Sequence, residues 1–456
     1  MNDICETTAT LSRDESLLTE RSEGVGSQRA KLDPILLSPA RGLERILRGR
    51  LIAQMREIRE CEVRLIDADG DLRLGTPALD PAQTLRTTIR VSDPGFYRHI
   101  AANGSVGAGE AYMDGLWDCS DLVALVRILV RNRDRLDAME TGLARFGGLV
   151  MRALHAFQRN TRVGSRRNIA VHYDLGNELF RLFLDENLMY SSAIFARADE
   201  SLEIAQQRKL DRICQKLELA PSDHVIEIGS GWGGFALHAA RNYGCRVTTT
   251  TISQQQFDLA SQRVQEAGLG ERITLLRQDY RDLQGQYDKL VSIEMIEAIG
   301  HQYLNTYFGK CASLLRDNGM ALVQAITIED HRYEQALNSV DFIKRFIFPG
   351  SFIPSIAAMQ NALARSSDFK LFHLEDIGPS YALTLNHWRR RFHAQLRQVR
   401  ALGYPERFVR MWEFYLCYCE GGFIERSIGN VQLLLTRPRC QRASYLPDLE
   451  CTLGAS

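Results

Sequence analysis

Hydrophobic and polar positions follow two rhythms along this chain, with a patternless stretch ahead of them. Residues 1–30 carry Ser, Thr, Glu and Gly without apolar periodicity, which predicts a disordered tail. Over residues 31–132 the pattern is mixed. CEVRLI, DADGD and LRLG read as two strands about a Gly-containing turn, and TTIRVSD as a further strand. DLVALVRILVRNRDRL reads as one helix with Leu122, Leu125, Val126 and Leu129 on a single face. These pieces predict a small α+β domain. Residues 133–165 are basic and helical in pattern, a linker to a larger domain over 166–456.

From about Asp223 the rhythm becomes strand, short turn, helix: HVIEIG then FALHAARNYG, CRVTTTTIS then QQFDLASQRVQEAG, RITLLRQD, and YDKLVSIEM. That succession predicts an α/β fold with a doubly wound parallel sheet. Further on, DFIKRFIFPGSFIPS sets Phe342, Phe346, Phe348 and Phe352 at spacings that suit a tunnel wall or plain core. LNHWRRRFHAQLRQV places Leu385, Trp388, Phe392, Leu396 and Val399 on one side, with Arg389, Arg390 and Arg391 turned toward solvent or lipid phosphate.

Composition narrows the class. Formal net charge is zero over 456 residues, which argues against a dedicated nucleic-acid binder. The ten cysteines are scattered without a CxxC pair and read as reduced thiols. His172, His301, His331, His387 and His393 show no ligand spacing, so no metal is expected. Two segments are locally basic: one has Arg41, Arg45, Arg48, Arg50, Arg56 and Arg59 among Leu43, Ile46, Leu47, Leu51 and Ile52, and the other runs from Arg152 to Arg167. Such helices suit an anionic inner leaflet, ordinary solvated faces being the plainer reading. No run reaches the roughly 18 apolar residues of a membrane span, and Met1 to Ala30 lacks an apolar signal core. The expected location is cytoplasmic, peripheral at the inner face of the cell membrane.

VIEIGSGWGG, Val225 to Gly234, places glycines directly between a buried strand and a helix. Gly229, Gly231 and Gly234 satisfy the dinucleotide pattern, a weak signal alone. Where a dinucleotide fold expects an acid for the ribose, this chain has Thr249, Thr250 and Thr251. With Glu227 ahead of Gly229, Ser230, Gly231 and Gly233, the run resembles the S-adenosylmethionine loop of Rossmann-like class I methyltransferases. Asp279, ending the strand ITLLRQ, stands where an acid commonly meets adenine in such enzymes, and Tyr280 suits stacking on the ring; an Asp there is otherwise a plain cap.

Several phrases, in consistent order from about Ala82 to Thr436, resemble the cyclopropane-fatty-acyl-phospholipid synthases and the related mycolic acid enzymes. They are GEAYMDGLWDC, HYDLGNELFRLFLDENLMYSSAIF, GSGWGG, TISQQQ, QDYRDL, IEMIEAIGHQYLNTYF, FIFPGSFIPS and YCEGGF. The resemblance implies methyl transfer from S-adenosylmethionine to the cis double bond of unsaturated phospholipid acyl chains, and dimers are common in the family. It also implies a carbocation that closes to a cyclopropane when a bound bicarbonate removes a proton. Carried over residue by residue, the family's anion-site Glu and Tyr fall on Glu297 and Tyr381. Its Cys and His fall on Ser192 and Gln324, which are changes, and Gln cannot relay a proton as His does. Glu294 stands where the synthases usually have Gly; were that stretch helical, it would share a face with Glu297 and offer a second base. Tyr190 and Ser191 fall at the methionine end of the cofactor, and Thr251, Ile252 and Gln256 at its ribose and adenine side. Cys419 matches a cysteine sometimes counted as active in the family; a packed thiol is the other reading.

The changes at Ser192 and Gln324 keep a second ending open, a methyl- or methylene-branched chain without ring closure. A small-molecule methyltransferase and a retired lipid-binding scaffold are the remaining readings. Intact Glu227, Glu297 and Tyr381 weigh against the last.

Overall fold

The computed structural model describes residues 37–138 and 176–443. The tail over 1–30, residues 139–165 of the expected linker, the second basic segment and His172 lie outside the described residues.

Helix α1 (Leu43–Arg56) turns Leu47, Ile52 and Met55 inward. Strands β1 (Cys61–Asp67) and β2 (Gly70–Leu74) form the hairpin expected from the alternation, with Asp67 paired to Gly70. β3 (Leu85–Val91) lies parallel to β1, and β4 (Trp117–Cys119) antiparallel to β3, giving the order β2-β1-β3-β4. Between them runs α2 (Gly95–Met113), bent at Gly104 where φ is 54°.

The stretch read as one helix is two, α3 (Leu122–Arg131) and α4 (Arg133–Ala138). Asn132 interrupts it because its side chain serves another segment. Its Oδ1 accepts the Arg59 amide at 2.8 Å, while Nδ2 donates to the carbonyls of Arg59 and Ile128 at 3.1 and 2.9 Å.

The second sheet has seven strands: β5 (His224–Ile228), β6 (Arg246–Thr250), β7 (Ile273–Leu276), β8 (Tyr287–Ile293), β9 (Leu315–Ile328), β10 (Lys370–Asp376) and β11 (Ile428–Thr436). Their order is β10-β11-β9-β8-β5-β6-β7. The helices that position the site are α5 (Leu202–Lys216), α6 (Gly234–Tyr243), α7 (Gln254–Glu266), α8 (Leu304–Ser313), α9 (Ile356–Ser366), α10 (Gly378–Ala394) and α11 (Glu406–Ile424). The sheet is Rossmann-like and mixed: β5, β6, β7 and β8, the strands read from the alternation, pair in parallel as expected, whereas β11 runs antiparallel to both β9 and β10. Between β10 and β11 the chain passes through α10, a short helix over Leu396–Ala401 and α11, and re-enters the sheet reversed.

Helices α10 and α11 join the two sheets. One apolar cluster includes Trp117, Leu125 and Ile128 together with Trp388, Trp412 and Phe423. Gly421 of α11 admits this approach, because a Cβ there would lie 2.7 Å from Val126 Cγ1. Arg127 and Arg131 of α3 both pair with Glu425, at 2.6 and 2.8 Å. On α10, Leu385, Trp388 and Phe392 are buried as expected. The arginines beside them do not form a solvated edge: Arg389 pairs with Glu420 at 2.6 Å and Arg391 with Glu203 at 2.7 Å, leaving Arg390 exposed.

Candidate active site

The glycine loop turns between β5 and α6 through Gly229, Gly231 and Gly233, at φ 97°, 48° and 85°. Those angles lie in the region that a Cβ penalises, so the sequence confines glycine to them. The amides of Gly229 and Ser230 both donate to the Thr250 carbonyl, at 3.1 and 2.8 Å, tying the loop to β6.

A cavity of about 380 Å³ opens at this loop. Tyr190, Ser191, Glu227, Gly229, Ser230, Gly231, Thr251, Ile252, Gln256, Asp279 and Tyr280, all singled out in the sequence, line it. Gly233 stands back from the lining as the left-handed residue capping α6. Glu227 accepts from Thr249 Oγ1 at 2.6 Å, and burial pushes its carboxyl up to about 8. Asp279 acts as the plain cap as well: it accepts the Arg281 amide and is held by the Arg281 guanidinium at 2.6 Å. The Tyr280 hydroxyl is buried without a hydrogen-bond partner among the described residues. A glycine cradle, an orphaned phenol and an acid at the end of β7 fit a nucleoside cofactor such as S-adenosylmethionine.

Glu294 follows β8 at φ 49°, a left-handed angle that favours glycine. The segment is not the helix that would set it beside Glu297 on one face: a short 3₁₀ turn, Ile296–Ala298, begins only after it. The strained backbone instead aims the carboxylate into a ring of donors. Its Oε1 accepts from the Ser192 amide at 2.9 Å, Gln324 Nε2 at 2.8 Å and Asn430 Nδ2 at 2.6 Å, and its Oε2 from the Tyr381 hydroxyl at 2.8 Å. Four donors and no competing acceptor suit an anion. Three of the expected anion-site residues, Ser192, Gln324 and Tyr381, are thus gathered on a carboxylate of the chain itself. Ser192 contributes its amide, because its hydroxyl donates to the Ala193 carbonyl at 2.9 Å.

Glu297 differs in state. Its Oε1 accepts the Ile326 amide at 2.6 Å, and its Oε2 is buried without a partner among the described residues. Burial, reinforced by the nearby Glu294, pushes its carboxyl up to about 8, so it is a neutral acid at pH 7. Cys419 lies in the cavity wall, but burial raises its thiol far above neutrality and leaves no thiolate. Phe348 and Phe352 line the cavity with Ile326, Ile328, Leu385, Tyr415 and Phe423. Phe342 and Phe346 do not; Phe342 packs on Phe414 with ring centroids 4.6 Å apart.

Several supporting residues escaped the sequence reading. Asn430 comes from β11, and its signal was a polar side chain inside the apolar run of that strand. Gln432, two residues on and so on the same face, donates to Gln324 Oε1 at 3.0 Å, and Lys216 Nζ donates to Gln432 Oε1 at 2.8 Å. This relay sets the Gln324 amide with its NH₂ toward Glu294. On α5, Gln206 donates to the Ser191 carbonyl at 2.9 Å, and the fully buried Lys209 donates to Ser191 Oγ at 2.9 Å. Their signal was Gln206, Lys209 and Lys216 on the helical stripe of Leu202, Ala205 and Ile213. Among the described residues no cluster of His, Cys, Asp and Glu could hold a metal ion.

The family model described as mycolic acid cyclopropane synthetase matches residues 160–433. Tuberculostearic acid methyltransferase UfaA1 of Mycobacterium tuberculosis is 36% identical over 394 residues, spanning 82% of this chain and 88% of that one. The cyclopropane-fatty-acyl-phospholipid synthase of Escherichia coli is 36% identical over 363 residues, 76% of this chain and 87% of that one. Among solved structures, mycolic acid cyclopropane synthase CmaA1 complexed with SAH and CTAB superposes with a TM-score of 0.56 at 29% identity, covering 59% of this chain and 98% of that one.

Proposed function

The chain belongs to the mycolic acid cyclopropane synthetase family and is an S-adenosylmethionine-dependent lipid methyltransferase; from that premise we propose that it alkylates the cis double bond of unsaturated phospholipid acyl chains, with Glu294 as the base. The observation that carries this reading is the Glu294 carboxylate seated in the four-donor ring where the resemblance puts bicarbonate.

S-adenosylmethionine, when bound, supplies an electrophilic methyl sulfonium. Tyr190, Ser191, Glu227 and the glycine loop would hold its methionine end, and Thr251, Ile252, Gln256, Asp279 and Tyr280 its nucleoside. An isolated alkene is a weak nucleophile, so the apolar wall of Ile326, Ile328, Phe348 and Phe423 must exclude water and hold it in line. The alkene's π electrons form the new carbon–carbon bond as the carbon–sulfur bond breaks, leaving a cation on the neighbouring acyl carbon. Glu294 then takes one proton. If that proton leaves the transferred methyl group, a cyclopropane closes; this is the first reading. Glu297, whose buried carboxyl is pushed up to about 8, is favoured in its neutral form at pH 7 and leaves the proton-accepting role to Glu294.

A second reading, a methylene- or methyl-branched product, is favoured by one specific observation. Bicarbonate is a free anion, whereas Glu294 is anchored and draws its proton from whichever acyl carbon faces it. The relatives at 36% identity carry names of both kinds.

Among the described residues no helix is long and apolar enough to cross a membrane. Contact with an anionic inner leaflet belongs to the proposal and is supported by α1, where Arg45, Arg50 and Arg56 are exposed beside Leu43 and Ile46. Arg48 takes no part, since it pairs with Asp67 at 2.6 Å. The division into a lipid-engaging N-terminal part and a catalytic part, and homodimer formation, are retained on the resemblance.

Mass spectrometry of fatty acid methyl esters tests the reading, using a host rich in monounsaturated lipid and lacking its own synthase. A gain of one methylene mass is expected on expression of this chain. Resistance to hydrogenation identifies the ring, and uptake of hydrogen a branched alkene. No new fatty acid from protein that binds S-adenosylhomocysteine would sink the proposal.

A further inference from the structure

The cavity has a second polar end that the chemistry above leaves unused. Val126, Val130 and Arg133 line it together. Spaced by four and three residues, they form one stripe that continues from α3 past Asn132 into α4. Two aliphatic side chains lead along the wall to a guanidinium. Leu337, Ser339, Asp341, Ile343 and Lys344 line the same cavity, where the chain makes a π-turn over Ile343–Ile347.

The charges at this end are few. Arg133, Arg332 and Asp341 all act on the hydroxyl of Tyr418, which also lines the cavity. Lys344 is committed to the fold: its Nζ donates to the carbonyls of Ala336 and Ser339, at 2.5 and 2.9 Å. Asp341 is engaged as well, accepting the Lys344 amide at 2.9 Å. Arg133, half-buried, enters no ion pair or side-chain hydrogen bond among the described residues. Among the described residues this end is therefore net cationic, and apolar side chains line the cavity beside it.

We propose that this end seats the phosphodiester of a glycerophospholipid, with Arg133 as its donor, while the unsaturated chain runs along Val130 and Val126 toward Glu294. The inference rests on the acyl-lipid reading and adds the head group. A guanidinium presents a planar fork that matches two phosphate oxygens, which an ammonium does not. An uncharged lipid would leave that guanidinium half-buried without an anion.

Initial rates on dioleoyl-phosphatidylcholine, which carries the phosphodiester without net charge, and on dioleoylglycerol, each dispersed in non-ionic detergent micelles, test the proposal without a charged surface. Arg133→Gln should raise KM for the phospholipid by about ten-fold, the loss of one charge-assisted hydrogen bond, and leave dioleoylglycerol turnover unchanged. Arg133→Lys should recover part of the loss. Calorimetric binding of S-adenosylhomocysteine verifies that each variant is folded. Equal losses on both lipids, or no loss on the phospholipid, would overturn the inference while leaving the alkylation intact. A wild-type chain inactive on both lipids would overturn the alkylation itself, and the head-group site with it.

Discussion

The Tyr381 hydroxyl donates to Glu294 Oε2 at 2.8 Å, although the two residues are 87 positions apart in the chain. Burial, and then the adjacent Glu294 charge, push the Tyr381 phenol well above its ordinary range, so the proton stays on tyrosine and the carboxylate stays an acceptor. The pair thus holds a carboxylate in place in the cavity wall.

Replacing Glu294 separates a built-in base from a borrowed one. Glu294→Gln should lower kcat by roughly 10²-fold or more while S-adenosylhomocysteine binding persists. Glu294→Gly removes the left-handed strain and frees all four donors for another anion. In that variant added bicarbonate should restore part of the product, measured by gas chromatography, while wild-type rates should not respond. An active Glu294→Gln enzyme would remove Glu294 from the chemistry.

The relay behind Gln324 should be felt at a distance. Lys216→Met removes the donor to Gln432 and lets the Gln324 amide rotate its oxygen toward Glu294. We expect kcat to fall with KM for the cofactor unchanged. Stability should drop by about 1–3 kcal/mol, since Glu375 loses one buried partner at 2.5 Å but keeps Arg212. Urea titration beside steady-state kinetics reads both effects.

Glu297 predicts a pH dependence of stability. Its carboxyl rises from 4.5 to about 8 on folding, so between those limits the unfolded chain has released a proton that the folded chain retains. The contribution is complete below pH 4.5 and is lost progressively as pH rises to about 8. Thermal melts of Glu297→Gln should lack that part of the decline, seen as a shrinking Tm difference from wild type between pH 5 and 8. A constant difference would refute the assignment.

Gly421→Ala tests whether α3 is a working wall of the cavity. Alanine gains about 1 kcal/mol of helix propensity, but its Cβ would lie 2.7 Å from Val126 Cγ1, and overpacking costs about 1–3 kcal/mol. The clash should win. Tm should fall and KM for lipid should rise, with S-adenosylhomocysteine affinity unmoved; a change in cofactor affinity alone would contradict the placement.

The glycine loop was legible because it is local: strand, four glycines and helix lie within Val225 to Tyr243, and Glu227 with the missing ribose acid narrowed what that spacing left open. The anion end was legible only in part. Ser192, Gln324 and Tyr381 could be named, but their convergence on Glu294 depends on a positive φ and on Asn430, 136 residues away, which no periodicity records. Arg389 and Arg391 misled for the opposite reason. Their helical position pointed outward, and Glu420 and Glu203 on neighbouring elements were there to meet them. The reversal of β11 was likewise hidden, since strand direction is set by the path of the connection in space and leaves no mark in periodicity.

The pairing of α3 with α11 also has a consequence for biosynthesis. Arg127 leaves the ribosome 298 residues before Glu425, its partner. At about 5–20 residues per second, Leu125, Ile128 and their neighbours wait on the order of tens of seconds for the surface that covers them. Through that interval the nascent chain presents a greasy helix to its surroundings, a window in which a chaperone that covers apolar surface would act.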